Sequence, residues 1–391
     1  MDSEIVITSG VRTPIGKFGG SLKTLTAVEM GAVAVEQALK RSRIESDAVA
    51  HAWVGMARQA GNGPNPGKLV AVQGGMPYHV PVTTIQMACV SGLQAGILAY
   101  YSLLAGDGDV ALVAGVEHMS SIPYLLCDHR WGRRMGDSQV VDAMTKDGFL
   151  DPMTNETMGS IADSYSHRWG ISREEQDVFA LNSHRKAAKA WDSGAYKDSV
   201  VPLTIPGRAD PFTMDEHYRR DISLEKLARL KGAFHPDGTV SAGNASGITD
   251  GACAYIMMTA RMAHNFSLRP LARIIGVATA SLDPRDYGVA PMVAVRKALQ
   301  RAEIALDRVD IWEINEAFAV QVLAMIRELD IDVRRVNPFG GAIALGHPIG
   351  MSGARIVLSA ATGLHHLNAR YAVATLCGNG GQGGAVVLER V

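Results

Sequence analysis

The sequence predicts an α/β protein built from two copies of one unit, with a long segment inserted between the copies. The first observation is an internal repeat: a shift of 260 residues aligns 33–57 with 293–317 at ten identities in 25 positions, without a gap. Ordinary residue usage would give about one or two identities by chance. The second observation is that short apolar runs alternate with segments of helical periodicity in each copy, which is typical of a doubly wound α/β unit.

The N-terminal copy, residues 1–120, begins with an apolar run at Ile5–Thr8 that predicts a strand. A helix follows, because apolar residues recur at helical spacing from Val33 to Ala38. A second strand is predicted at Ala52–Val54. The run Val110–Ala114 is apolar throughout, which indicates a strand that is buried on both faces.

The C-terminal copy, residues 249–391, repeats this order with a strand at Ala272–Val277, a helix from Val293 to Ala298 and a buried strand at Tyr371–Leu376. A short strand is predicted at Ile311–Ile314, between that helix and the buried strand at Tyr371–Leu376. Residues 249–270 have an alternative assignment, in which they pack with the N-terminal lobe. The insertion, residues 121–248, contains an amphipathic helix at Ser172–Ala190 and is expected to carry ligand and subunit contacts.

Composition and charge exclude several classes of protein. The chain has 38 basic and 39 acidic residues and a net charge of -1, which offers no electrostatic footprint for nucleic acid or an anionic membrane. The cysteines have neither disulfide-framework nor zinc-finger spacing, so no metal is expected. No apolar stretch is long enough to span a membrane, and the first residues do not resemble a signal peptide. We therefore expect a cytoplasmic protein.

Cys89 is the first candidate for a chemical role. A β-branched run at Thr83–Ile85 precedes it, and Ser91-Gly92 opens a helix directly after it. At such a junction the sulfur faces the unsatisfied N–H groups of the helix, which favour the thiolate. The alternative is that Cys89 is a small buried residue, which is the common state of a free cysteine.

Two further candidates lie in the C-terminal copy. His347 is surrounded by glycines and followed by Pro348, in a loop that would allow close approach of a ligand. Cys377 ends the last buried strand, and the strand ends of such a lobe are where ligands bind. The glycines after Cys377 fit a dinucleotide-binding pattern, but an apolar strand follows instead of a helix, so no nicotinamide or flavin site is expected there.

Five segments, taken in order along the chain, closely resemble the thiolase family. They cover the opening turn, the nucleophile motif, a coenzyme A loop and two catalytic loops: Val11–Gly16, Cys89–Gly92, Ser241–Gly247, Asn315–Ala319 and Gly340–Gly350. The resemblance extends over essentially the whole chain. It implies a five-layered αβαβα core made of two like lobes, with a loop domain inserted between them.

The resemblance also implies an activity and assigns roles. A thiolase cleaves a 3-ketoacyl-CoA with free CoA to acetyl-CoA and a shortened acyl-CoA, or runs the reverse Claisen condensation. Cys89 would form the acyl-enzyme, and His347 would activate it. Asn315 would hold a water for the first oxyanion site, and Cys377 would move the proton on the reacting carbon. No cofactor is implied, because coenzyme A is a substrate. Family members are homodimers or homotetramers, and a hydratase/dehydrogenase partner subunit is possible.

The resemblance suggests two further sets of residues. The backbone N–H groups of Cys89 and Asn379 would form the second oxyanion hole. Contacts with substrate or CoA would come from Met158, Arg219, Phe234, Ala242, Ser246, Ile248, Ala317 and Phe318.

Three positions depart from the family pattern. Gln86 replaces an asparagine, Asn379 replaces a glycine, and Thr157 replaces a histidine in a His-Met-Gly run. The last change suggests tolerance of acyl chains longer than acetoacetyl. On the sequence alone, Asn379→Gly is expected to leave the rate equal or higher, because only the backbone N–H at this position has a role in the family.

Two alternatives remain at this point. One is a ketoacyl-synthase-like condensing enzyme, although such enzymes have no second catalytic cysteine. The other is a thiolase-like protein that carries acyl-CoA or lipid without turnover. Within the insertion, the basic stretch His129–Arg134 is either a subunit contact or a solvated loop.

Overall fold

The computed structural model describes residues 4–391, so residues 1–3 of the predicted N-terminal lobe lie outside the described residues. The strands are β1 Ile5–Arg12, β2 Gly16–Lys17, β3 His51–Gly55, β4 Val82–Ile85, β5 Val110–His118, β6 Tyr124–Leu125, β7 Val141–Asp142, β8 Leu150–Asp151, β9 Glu156–Thr157, β10 Thr249–Thr259, β11 Ala272–Ser281, β12 Ile311–Ile314, β13 Tyr371–Gly378 and β14 Gln382–Glu389. The helices are α1 Ala27–Ser42, α2 Pro66–Gln73, α3 Ser91–Leu104, α4 Met158–Trp169, α5 Arg173–Asp192, α6 Leu224–Ala228, α7 Ala260–Asn265, α8 Ala290–Ala302, α9 Ala319–Leu329, α10 Ala342–Leu345 and α11 Ile349–His366.

The main sheet has a symmetric strand order. It runs β12-β13-β14-β11-β1-β10-β5-β3-β4, and its two halves meet where Ile5 of β1 pairs with Ile274 of β11. Outward from this boundary, β1-β10-β5-β3 in one half corresponds to β11-β14-β13-β12 in the other. The corresponding pairs β3 with β5 and β12 with β13 are both parallel, and β4, which has no counterpart, adds a further parallel strand beyond β3. The duplication predicted from the repeat is therefore present in the sheet.

The two halves of the sheet alternate with three layers of helices. Helices α1 and α2 cover the outer face of the N-terminal half, and α8 and α9 cover the outer face of the C-terminal half. Helices α3 and α11 lie between the halves, and their residues share one apolar core with both of them. This is the predicted five-layered αβαβα arrangement.

Glycines allow the two central helices to cross closely. A Cβ atom on Gly92 of α3 would lie 2.5 Å from the carbonyl oxygen of Gly350 in α11, and one on Gly353 would overlap the backbone of Leu93. Bulkier residues would force the helices apart. Because both helices begin beside a catalytic candidate, this crossing brings the starts of the two helices together.

The connection between equivalent strands differs greatly in the two lobes. Residues 119–248 separate β5 from β10, whereas residues 379–381 alone separate β13 from β14. Strand β10 pairs with β5 and β1, so the strand after the insertion completes the N-terminal half of the sheet. The insertion itself holds the β6–β7 and β8–β9 hairpins, a π-helical turn at Thr145–Phe149, and helices α4, α5 and α6.

Local sequence signals explain where the helices begin. Ser172 is the N-cap of α5 and forms a reciprocal capping box with Glu175, so the predicted helix at Ser172–Ala190 is observed as Arg173–Asp192. Thr26 and Glu29 form the same arrangement at the start of α1. In residues 4–391, no helix has the length and apolar character needed to cross a bilayer.

Candidate active site

A cavity of about 400 Å³ lies where the two lobes and the insertion meet. Its wall includes Cys89 from the N-terminal lobe, His347 and Cys377 from the C-terminal lobe, and Met158 and Phe149 from the insertion. The three chemical candidates, which are far apart in sequence, therefore face one space.

The turn that presents Cys89 is held in an unusual backbone conformation. Ala88 has a φ of 48°, in the left-handed region that residues with a side chain seldom occupy. Ser91 stabilises the turn, because its hydroxyl accepts a hydrogen bond from the Met87 N–H (2.9 Å) and donates one to the Ala88 carbonyl (2.6 Å). Helix α3 then begins at Ser91. Such a sharp strand-to-helix turn exposes the residue at its tip to a ligand.

The cysteine thiol is not ionised at rest. Burial raises the pKa of Cys89 to about 11, although the nearby Arg58 guanidinium and the backbone N–H groups of Cys89 and Asn379 oppose this rise. The sequence argument that helix N–H groups favour the thiolate is therefore wrong for the resting state, because desolvation outweighs them. The thiol needs a base when it reacts.

His347 is positioned to be that base. The Ser352 hydroxyl donates to the Pro348 carbonyl (3.0 Å), so its oxygen accepts a hydrogen bond from His347 Nδ1 (2.6 Å). This assigns the ring proton to Nδ1 and leaves Nε2 as an acceptor. Burial, together with Arg355 and Arg58, lowers the pKa of His347 to about 3, so the imidazole is neutral near pH 7. A neutral ring with an unprotonated Nε2 can take a proton from a thiol.

Asn315 lies beside the imidazole at the end of β12. Its Nδ2 is 3.5 Å from His347 Nε2, and its Oδ1 has no hydrogen-bond partner among the described residues. The backbone holds the residue firmly, because its N–H donates to the Thr375 carbonyl (3.0 Å) and its carbonyl accepts from Gln321 Nε2 (3.3 Å). The amide is therefore fixed beside His347 with its Oδ1 unpartnered, although Asn315 does not itself line the cavity.

Cys377 is the more deeply buried of the two thiols in the cavity. It lies on β13, opposite Gly383 of β14, and it is 1% exposed. Burial raises its pKa well above the ordinary value, and the neighbouring Cys89 raises it further. Since each thiol raises the cost of ionising the other, we expect one proton to leave at a time.

Asn379 follows β13 and contributes through both its backbone and its side chain. Its N–H is close enough to the Cys89 thiol to lower the pKa of that group, and its φ is not in the positive region. Its Nδ2 donates to the Gly148 carbonyl (3.2 Å) and approaches the Leu150 carbonyl (3.5 Å). The side chain therefore contacts the insertion, a role that the family pattern does not predict.

The predicted substrate contacts divide into two groups. Six line the cavity: Met158, Phe234, Ser246, Ile248, Ala317 and Phe318. Arg219 and Ala242 are exposed and lie outside its wall. Among the departures from the family pattern, Thr157 lines the cavity and caps α4, whereas Gln86 is exposed and outside the wall.

Sequence reasoning did not single out two residues of the site. Ser352 lies outside the repeat segments 33–57 and 293–317, yet it fixes the tautomer of His347. Arg58 was not considered, although it lines the cavity and acts electrostatically on both Cys89 and His347. The repeat could have drawn attention to Ser352, because Ser91 and Ser352 are aligned at the starts of equivalent helices.

Comparison with known proteins agrees with the architecture and the motifs. Residues 5–261 match the N-terminal domain of thiolase, and residues 268–390 match its C-terminal domain. The chain is 43% identical over 393 residues to a protein of Staphylococcus aureus (strain bovine RF122 / ET3-1) named "Probable acetyl-CoA acyltransferase", with 99% of each chain covered.

Two solved structures are similar over the same extent. An acetyl-CoA acetyltransferase from Bacillus anthracis is 42% identical, with a TM-score of 0.96 and 99% coverage of both chains. One from Syntrophomonas wolfei is 36% identical, with the same TM-score and coverage. These comparisons support neither the ketoacyl-synthase-like alternative nor the carrier alternative. The protein is therefore a member of the thiolase family of acyltransferases.

Proposed function

We propose that this thiolase cleaves 3-ketoacyl-CoA with free CoA, and runs the reverse condensation, through an acyl-enzyme on Cys89. One observation supports this assignment above the others: Cys89, Cys377 and a neutral His347 with an unprotonated Nε2 line the same cavity. A covalent thiol, a second proton-carrying thiol and a base are the groups that the two half-reactions require.

In the first half-reaction, His347 Nε2 accepts the proton of Cys89, and the thiolate attacks the 3-keto carbon of the substrate. The bond between the second and third carbons breaks, and the acyl group remains on Cys89. Acetyl-CoA leaves as its enolate, which takes a proton from Cys377. His347 then gives the proton it holds to the Cys377 thiolate, so both groups are restored. In the second half-reaction, His347 Nε2 accepts the proton of a free CoA, and the CoA thiolate attacks the carbonyl carbon of the acyl-enzyme. The bond between Cys89 and the acyl group breaks, the shortened acyl-CoA leaves, and the Cys89 thiolate takes the proton back from His347.

Hydrogen-bond donors are needed wherever negative charge develops on oxygen. The backbone N–H groups of Cys89 and Asn379 converge on the thiol, so we assign them to the thioester oxygen of the acyl-enzyme. Asn315, with His347, is assigned to the oxygen of the acetyl-CoA enolate, through a water that its amide would hold. Without such donors a thiol could not deprotonate so weak a carbon acid.

The covalent step can be tested by mass spectrometry after incubation with acetyl-CoA. We expect the wild type to gain about 42 Da, the mass of one acetyl transfer, on Cys89. Cys89→Ser should fold and gain no adduct, whereas Cys127→Ser, which changes an exposed thiol, should be acetylated like the wild type. An adduct that maps to Cys377 alone would show that the nucleophile is wrongly assigned.

Turnover separates the proposed function from the alternatives. Loss of the absorbance of a 3-ketoacyl-CoA on addition of free CoA is expected of a thiolase. A protein that binds acyl-CoA without this loss would be a carrier. A condensing enzyme of the ketoacyl-synthase type would be revealed by a need for a decarboxylating donor.

Finer properties of the protein follow as proposals. We expect a cytoplasmic enzyme, since its reactive thiols must stay reduced. We expect a homodimer or homotetramer, because Trp131 and Met135 of the insertion are 92% and 87% exposed in the single chain. No cofactor is required by the steps above, because coenzyme A is a substrate. A hydratase/dehydrogenase partner subunit is a further possibility that co-purification would test.

A further inference from the structure

Arg58 is a charged side chain in an unexpected place. It lies three residues after the end of β3, its side chain lines the cavity that contains Cys89, and the residue is only 9% exposed. The guanidinium packs against Gly148 of the π-helical turn, where a Cβ atom would come within 3.1 Å of Nε and Nη2. Arginine is seldom buried in this way unless an anion accompanies it.

The protein gives this guanidinium few partners. Nη1 donates to the Ala57 carbonyl (3.2 Å), but Nε has no hydrogen-bond partner among residues 4–391. The neighbouring carboxylate is that of Glu117, whose oxygens accept instead from the backbone N–H groups of Ala57 (3.0 Å), Arg58 (3.0 Å) and Gly350 (2.8 Å). In the described part of the chain, Arg58 forms no ion pair within 4.0 Å. Nη2 also forms no hydrogen bond with the described residues, and it is not enclosed by protein as Nε is, so Nη2 is the nitrogen left for another group.

The rest of the cavity cannot balance the charge. Apolar side chains such as Met119, Phe149 and Met158 make up much of the wall, and no carboxylate lines it. His347 is neutral, because its pKa is lowered to about 3 by burial and by the two arginines near it. Among residues 4–391, Arg58 is thus the only side chain of fixed charge in the wall, and it faces a largely apolar space.

The position of Arg58 indicates which part of the substrate would meet it. Its charge acts on the Cys89 thiol, and the acyl group must lie next to this thiol in order to react. The phosphates of coenzyme A lie at the other end of the pantetheine arm. Nη2 carries two N–H donors that can bind a carboxylate, and the Glu117 carboxylate next to Arg58 is already occupied by backbone N–H groups.

We propose that Arg58 is a specificity-determining residue that binds a carboxylate at the far end of a short acyl chain. The preferred substrates would then be 3-keto thioesters of dicarboxylic acids. This inference rests on the proposed function, because it concerns the substrate class of the same site. A purely structural role for Arg58, as a distant counter-charge to Glu117, is the alternative that the experiment must exclude.

The test compares two six-carbon substrates that differ at one end, 3-oxoadipyl-CoA and 3-oxohexanoyl-CoA. For the wild type, we expect kcat/KM to be at least about 10-fold higher for the carboxylate substrate. Arg58→Met should lower this ratio on the order of 10²-fold, because the buried carboxylate would lose its charged partner. Arg58→Lys, which keeps the charge but not the planar edge, should retain part of the preference.

Binding of the saturated analogues adipyl-CoA and hexanoyl-CoA, measured by calorimetry, separates this inference from the proposed function. If the wild type cleaves neither substrate, the proposed function fails, and tighter binding of adipyl-CoA that disappears in Arg58→Met still supports the inference. If the wild type prefers the neutral compounds, or if Arg58→Met affects both compounds equally, the inference is overturned. Thermal unfolding of each variant identifies a loss that comes from stability alone.

Discussion

The two lobes share one plan but differ in what connects their last two strands. In the N-terminal lobe, residues 119–248 connect β5 to β10, and in the C-terminal lobe residues 379–381 connect β13 to β14. The long connection contributes Phe149 and Met158 to the cavity wall, whereas the short connection contributes Asn379, which lies beside Cys89. The two connections touch, because Asn379 Nδ2 donates to the Gly148 carbonyl. The site is therefore built where the duplicated lobes have become different.

The central helices give a second contrast. Ser91 and Ser352 occupy equivalent places near the starts of α3 and α11, and each hydroxyl orders the loop in front of its helix. In one lobe that loop carries Cys89, and in the other it carries His347. The same element, a serine near the start of a helix, thus orders the loop of the proposed nucleophile in the first lobe and the loop of the proposed base in the second. Under the proposed function, each lobe supplies one of these two groups to the reaction.

The strongest test of this division is Cys377→Ala. If the C-terminal thiol only moves the proton on the reacting carbon, acetylation of Cys89 by acetyl-CoA should remain, because that half-reaction needs no carbon acid. Thiolysis and condensation should fall by on the order of 10⁴-fold, the upper range for loss of a general acid–base group. Acetylation is measured by mass spectrometry and thiolysis by absorbance.

Cys253→Ala is the matched control, since it removes another fully buried thiol, on β10 and outside the cavity wall. It should change stability more than rate. Equal loss of both half-reactions in Cys377→Ala, with the control active, would contradict the division of labour between the lobes.

A smaller effect is expected from the paired changes Ser352→Ala and Ser91→Ala. Removal of the Ser352 hydroxyl frees the His347 ring to rotate or change tautomer, so the rate of Cys89 acetylation should fall by on the order of 10²-fold. Ser91→Ala releases the Met87 N–H and the Ala88 carbonyl, and the strained turn should relax. We expect it to destabilise the fold as well, by about 1 kcal/mol for the lost hydrogen bonds.

The two variants should therefore differ in rate more than in stability. Each removes a fully buried hydroxyl that forms two hydrogen bonds, so unfolding in denaturant should show a loss of about 1 kcal/mol or more for both. Ser352→Ala should lose the rate of Cys89 acetylation in addition, beyond what its loss of stability explains. If Ser352→Ala acetylates as fast as the wild type, His347 is oriented by its packing alone, and the parallel between the two serines has no catalytic meaning.

Much of the fold could be predicted because the repeat is visible in the sequence. The identities around α1 and α8 fix two equivalent helices, and continuous apolar runs identify β5 and β13 as buried strands. Boundaries were less predictable: β1 extends to Arg12, beyond the predicted Thr8. Buried polar groups explain this, because Arg12 continues the strand while its side chain pairs with Asp215 of the insertion. No local sequence pattern predicts that Arg12 pairs with a carboxylate 203 residues away in the chain.

The sequence predicted the catalytic candidates of the site, but not all of the residues around them, nor the ionisation state of Cys89. Cys89, His347 and Cys377 carry local signals, namely a strand-to-helix turn, a glycine-rich loop and a buried strand end. Arg58 carries none, because a single arginine after a short strand is usually solvated. The ionisation of Cys89 was misjudged for the same reason: desolvation depends on the assembled cavity, which no short segment reveals.

The Asn379 side chain links the short connection between β13 and β14 to the long connection between β5 and β10. On the sequence alone, Asn379→Gly is expected to leave the rate equal or higher. In the structure, the side chain anchors the π-helical turn through Gly148, the residue against which Arg58 packs. Since φ at this position is not positive, a glycine would relieve no backbone strain and would add flexibility. The structure therefore reverses the expectation.

We expect Asn379→Gly to lower kcat for thiolysis by roughly 3- to 10-fold, which corresponds to about 1 kcal/mol for one neutral hydrogen bond. The backbone N–H beside Cys89 survives the change, so the loss should stay well below the roughly 10²-fold or more typical of a lost oxyanion donor. Asn379→Asp is the matched control, because it keeps the shape but turns a donor into an acceptor that faces the Gly148 carbonyl. It should be slower than Asn379→Gly. A rate for Asn379→Gly at or above that of the wild type would show that the contact between the two connections is passive, and that the lobes communicate only through their shared central helices.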